Sequence, residues 1–180
     1  MFLLIVYILA IDDIVGRMFS LYLPIYLKDI MKLDAVLIGL TYSGMNASRM
    51  IGRLFAGYFI DKYKEKISFL INSITSSFFV ILFMLLSVNS TLKIYAIFIL
   101  FVGVFFTPLS GIALRSYIAK NVSRKLRATA FSGLMTVWYF FSIPAPYLGI
   151  LFWNLKPQLI FIIDSLASLS LIPLTLKFLK

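Results

Sequence analysis

Residues 67–92, 94–114 and 128–155 each run without a single charged side chain. About 20 apolar residues in a helix cross the roughly 30 Å hydrocarbon core of a bilayer, so each run is long enough. The rest of the chain has too little polar surface to hide them in water. Of its 180 residues, 62% are hydrophobic and 13% charged, with a mean hydropathy of +1.01; soluble domains carry about 25% charged residues. The natural solvent is lipid, and a lipid-exposed backbone must satisfy its own hydrogen bonds, which for runs of this length means helices.

Three further runs qualify once a few charges are tolerated. They cover residues 2–27 with Asp12, Asp13 and Arg17, residues 35–60 with Arg49 and Arg53, and residues 157–177 with Asp164. The expectation is an all-α transmembrane domain over residues 1–180. Its six helices lie at about 2–27, 35–60, 67–88, 94–117, 128–155 and 157–177. The short polar connection around Asn89 divides it into two three-helix units, the topology of inverted repeats.

Lysine and arginine sort by connection. Lys62, Lys64, Lys66, Arg115, Lys120, Arg124, Lys125, Arg127, Lys177 and Lys180 fall on one side, and Lys28, Lys32, Lys93 and Lys156 on the other. Positive charge marks the cytoplasmic face. Both termini are therefore expected in the cytoplasm, with the chain multi-pass in the cell membrane.

The net charge of +10 does not point to nucleic acid, because the basic residues punctuate apolar runs instead of forming a soluble face. With no cysteine and no histidine, disulfides, thiolate chemistry, Cys/His metal sites and imidazole proton relays are absent. No Gly-x-x-x-x-Gly-Lys-Ser/Thr loop is present to hold a nucleotide. Asp13 and Asp164 lack the surroundings of an aspartyl dyad, so no enzyme, cofactor or metal is expected. The first residues lack the basic start and cleavage site of a signal peptide.

Six charges lie inside the predicted spans: Asp12, Asp13, Arg17, Arg49, Arg53 and Asp164. Each costs about 2.5–3.5 kcal/mol even on a lenient insertion scale. A rise of about 1.5 Å per residue places all but Arg17 within about 5 Å of mid-membrane. Asp12, Asp13, Arg17 and Arg49 are the candidate solute or ion pathway, against the plainer reading of a structural ion-pair network between helices 1 and 2. Arg53 is expected to reach toward the inner surface. In helix 2, Gly44, Ser48, Gly52 and Ala56 form a small-residue stripe suited to close helix packing. The neighbouring stripe carries Arg49, Arg53, Gly57 and Asp61.

The stretch from Gly57 through Asp61, Lys62, Tyr63 and Lys66 resembles the loop between helices 2 and 3 of the major facilitator superfamily. Lys64 stands where that pattern has glycine, and Glu65 where it has a basic residue. In helix 5, Pro144, Pro146 and Gly149 resemble the superfamily's Pro/Gly motif, with Ala145 in place of the usual glycine. The resemblance implies a six-helix half, like the N-terminal one, of a twelve-helix secondary transporter. It implies a cytoplasmic gate at Arg53, Gly57, Asp61, Lys62 and Lys66, and a hinge at Pro144, Pro146 and Gly149. The implied function is alternating-access transport of a small solute, with a second six-helix half supplied by another copy or a separate chain. In that arrangement helices 1, 2, 4 and 5 wall the cavity. The alternative is a truncated or accessory membrane protein that moves nothing itself.

Overall fold

The computed structural model describes residues 2–178, without the side chains of residues 2–10, 12, 174 and 178. Among the described residues seven α-helices follow one another: α1 (Phe2–Asp29), α2 (Ala35–Ser87), α3 (Lys93–Phe106), α4 (Pro108–Asn121), α5 (Arg127–Ser142), α6 (Ala145–Leu155) and α7 (Leu159–Phe178). Among the described residues, four helical stretches are long and apolar enough to cross a membrane: Ala35–Ser87, Ser90–Asn121, Arg124–Leu155 and Leu159–Lys177.

Local chemistry sets where the helices start and break. Lys32, with φ 53°, turns the chain out of α1. The Asp34 carboxylate then caps α2 by accepting from the Leu37 amide at 2.7 Å, satisfying one of the unpaired amides that open any helix. Pro108 and Pro144 open α4 and α6, where a missing amide proton costs least. At the first break the Thr107 hydroxyl donates to the Val104 carbonyl at 2.9 Å, the acceptor that a proline amide cannot reach.

Helix α2 spans 53 residues, about 80 Å at helical rise and far more than a bilayer is thick. It breaks at Lys64, whose backbone stands at φ 66°, ψ 167°. Beyond that residue the chain doubles back. Met45, from the start of α2, and Phe83, from its end, share one buried cluster with Leu23, Tyr26, Leu100 and Phe161. At the opposite end, Phe69 packs with Leu114, Ile118 and Leu134.

Lipid gives apolar side chains no reason to leave it, so shape and internal hydrogen bonds hold such a bundle together. Tyr26 is fully buried at its centre, 4.5 Å from the Phe161 ring centroid, with its hydroxyl 2.7 Å from Ser87 Oγ. The small-residue stripe of α2 lies against α3. Ser48 Oγ donates to the Phe101 carbonyl at 2.7 Å, and a Cβ at Gly52 would overlap the carbonyl of Phe105. The Tyr22 ring of α1 occupies the space where Gly149 of α6 has no side chain, and its hydroxyl donates to the Pro146 carbonyl at 2.9 Å.

Candidate functional site

A cavity of about 330 Å³ lies inside the bundle. Asp13 reaches it from α1, Arg49 from the first part of α2, Asn72 and Ser76 from the second part, Trp138 from α5 and Asp164 from α7. The α3–α4 break lines it too, through Val104 and Thr107. Residues 65–87 and α7 thus contribute four of the polar lining residues. The wall is wider than helices 1, 2, 4 and 5, because Asn72, Ser76, Asp164 and Ser168 turn a polar face inward from the two remaining segments.

Asp13 is only 8% exposed, and its charge is held from two sides. Arg17, one turn along α1, places Nε at 3.6 Å from Oδ1. Ser142 Oγ, at the end of α5, donates to Oδ2. That serine is available because α5 stops at Ser142 and Pro144 prevents the helix from continuing straight. The Arg17 side chain is about half exposed, lies 5.8 Å from the Tyr139 ring centroid and is not among the cavity's lining residues.

Arg49 lines the cavity and donates to Asn46 Oδ1 at 3.3 Å. Among the described residues no ion pair links Asp13 to Arg49 or Arg53, and Arg53 is exposed. Asp164 is 8% exposed in the cavity wall. Two further lining groups, Asn72 Oδ1 and Trp138 Nε1, are buried with no hydrogen-bond partner among the described residues. An unmatched buried polar atom costs about 1–3 kcal/mol, so two facing one cavity are a property of that cavity. Asp12 has its backbone in α1, and its side chain lies outside the described residues.

Around the break within α2 the residues are organised by charge. Glu65 is 12% exposed and accepts from Ser116 Oγ and from Lys120 Nζ, each at 2.6 Å. Burial alone would raise its carboxyl, but hydrogen bonds from Lys120 and Ser116 more than offset this and hold it below the ordinary glutamate value. Lys66 Nζ donates to the Leu176 carbonyl at 2.9 Å, at the end of α7 where helix carbonyls lack partners. Lys62 lies over the rings of Tyr58 and Tyr63, at 5.9 and 5.2 Å. Asp61 is exposed, and a Cβ at Gly57 would meet nothing within 4 Å. The face carrying Arg53, Gly57 and Asp61 is therefore uncovered.

The family model for the Major Facilitator Superfamily matches residues 1–179 of the 180-residue chain. The chain belongs to that superfamily. No curated protein matches it. Membership makes it a multi-pass membrane protein of a transporter family acting on small solutes.

Within the superfamily's loop pattern, the backbone explains the position now held by Lys64. A φ of 66° with ψ near 167° is a conformation that glycine adopts freely and other residues at a cost of about 1–3 kcal/mol. Glycine is what the pattern has there. Glu65, the other departure, is engaged with α4 instead of facing outward.

Sequence reading did not single out Ser142, Asn72, Trp138, or the pairing of Glu65 with Lys120. Serine, asparagine and tryptophan carry no charge penalty to flag them in an apolar run. Glu65, set between Lys64 and Lys66, was the one available signal.

Proposed function

We propose that the chain is one six-helix half of a secondary transporter that moves a small solute by alternating access. In this reading α2 crosses the bilayer twice, before and after Lys64. The α3–α4 and α5–α6 pairs each cross once, as do α1 and α7. Residues 1–180 form one domain of two inverted three-helix repeats, in the cell membrane, with both termini cytoplasmic. Asp12, Asp13, Arg17 and Arg49 serve the solute or ion pathway, and Asp164 joins them. The carrying observation is that charges from three separate helices, Asp13, Arg49 and Asp164, line one cavity despite their cost in lipid.

A second six-helix half, on another copy or a separate chain, covers the exposed face of Arg53, Gly57 and Asp61. That face and Lys62 and Lys66 form the cytoplasmic gate, while Pro144, Pro146 and Gly149 form the hinge. Rocking between two arrangements of packed helices is how such repeats expose one site to either side.

The absence of cysteine makes the test direct. Single cysteines at Gly16 and Ser76, both in the cavity wall, are treated with a membrane-impermeant thiol reagent in right-side-out and inside-out vesicles. Labelling from both faces, biased oppositely by solute and by Arg49→Ala, supports alternating access. Labelling from one face only, unmoved by either, leaves the accessory-protein reading in place.

A further inference from the structure

The lining of the cavity is chemically two-sided. Arg49 brings a guanidinium, a group that only donates, and Trp138 brings an indole N–H that is buried and unmatched. Asn72 Oδ1 is an acceptor, buried and likewise unmatched, and Asp164 adds a carboxylate to the same wall. Asp13 is already engaged by Arg17 and Ser142. Beside these groups stands an apolar wall of Phe19, Phe79, Val80 and Leu100.

A solute carrying only positive charge would meet the Arg49 guanidinium and leave the Trp138 indole N–H without an acceptor. One carrying only negative charge would face Asp13 and Asp164. A neutral polyol could hydrogen-bond these groups but would leave both signs of charge uncompensated. The volume, about 330 Å³, is at the small end of the roughly 300–1,000 Å³ typical of ligand pockets.

Building on the transport reading above, we propose that the cavity binds a small zwitterion of the amino-acid kind, with an ammonium, a carboxylate and an apolar body. Arg49 and Trp138 take the carboxylate. Asp164 and Asn72 Oδ1 take the ammonium. Phe19 and Phe79 hold the apolar body. Asn72 Oδ1 and Trp138 Nε1, without partners among the described residues, gain them from the solute, which gives the site its selectivity for both ends at once.

The test uses the Ser76→Cys chain in native membrane vesicles, so that any partner half is retained. The probes are leucine, phenylalanine and glutamine. The controls are 3-methylbutylamine and 4-methylpentanoate, which are leucine without its carboxylate and without its amine. At least one zwitterion should slow thiol labelling at a concentration about tenfold or more below that needed by either control. Arg49→Gln should bring the amine level with leucine, and Asp164→Asn should do the same for the carboxylate.

Equal protection by the amine or the carboxylate in the Ser76→Cys chain that keeps Arg49 and Asp164 overturns the proposal. So does no protection by any zwitterion while labelling still alternates between faces, an outcome that leaves transport standing. Protection without alternation keeps the binding site and removes transport. If Arg49→Gln does not reach the membrane, Trp138→Phe, which deletes one donor and keeps the ring, replaces it. It should weaken leucine protection and leave amine protection unchanged.

Discussion

The carboxylate of Glu65 accepts from Lys120 Nζ at 2.6 Å and ties the residue after the α2 break to the last turn of α4. The same carboxylate takes Ser116 Oγ, also at 2.6 Å. Folding lowers its proton affinity, so it stabilises the fold above its unfolded value near 4.5 and loses that effect as pH falls through the lower folded value. Melting of the purified chain in detergent should therefore worsen below about pH 4.5. In Glu65→Gln that acid-side loss should be smaller. Lys120 is mostly exposed, so Lys120→Ala should cost less than about 1 kcal/mol.

Lys64→Gly should stabilise the chain. Relief of about 1–3 kcal/mol of backbone strain outweighs the about 0.4–1 kcal/mol of added freedom in the unfolded chain. Lys64→Val, whose branched side chain tolerates positive φ worst, should lower the melting temperature. Equal melting temperatures for all three chains would show that the position is not strained.

Gly52→Ala and Gly57→Ala separate packing from composition. A methyl at Gly52 meets the Phe105 carbonyl, a backbone atom that moves only with α3, whereas at Gly57 it meets nothing. The first should cost about 1–3 kcal/mol by overpacking and the second should not destabilise measurably. Detergent melting curves compare them directly.

Asp13 and Ser142 should be energetically coupled. A double-mutant cycle with Asp13→Asn and Ser142→Ala should give an interaction of about 1–3 kcal/mol, the range for a hydrogen bond to a charged group. The cycle pairing Asp13 with the exposed Arg53 should give about zero. Coupling of equal size in both would mean that the effect comes from general loosening of the bundle.

Much of this was legible in the chain because lipid imposes coarse rules. Long uncharged runs must become helices, and a charge among them must earn its place near polar company. Asp13, Arg49 and Asp164 were visible on those grounds, and all three reach one cavity. Asn72, Ser142 and Trp138 were not, because a neutral polar side chain in an apolar run faces lipid, a neighbour or a cavity with no difference in the sequence. A helix bend was legible at Pro144 as part of the implied hinge, and the break at Pro108 has the same chemical cause. A break between residues 60 and 67 was legible from the charges there, but its placement at Lys64 was legible only against the superfamily's glycine, since lysine itself favours helix.

Helix α1 touches both sides of the Pro144 bend. Asp13 holds Ser142 at the end of α5, and Tyr22, about 13 Å further along α1, holds Pro146 at the start of α6. A joint gripped on both sides by one stiff rod is splinted. The angle between α5 and α6 is then set by α1, and the bend can open only by giving up one of those two grips. Because one of them is the carboxylate that lines the cavity, the joint is mechanically tied to whatever occupies that space.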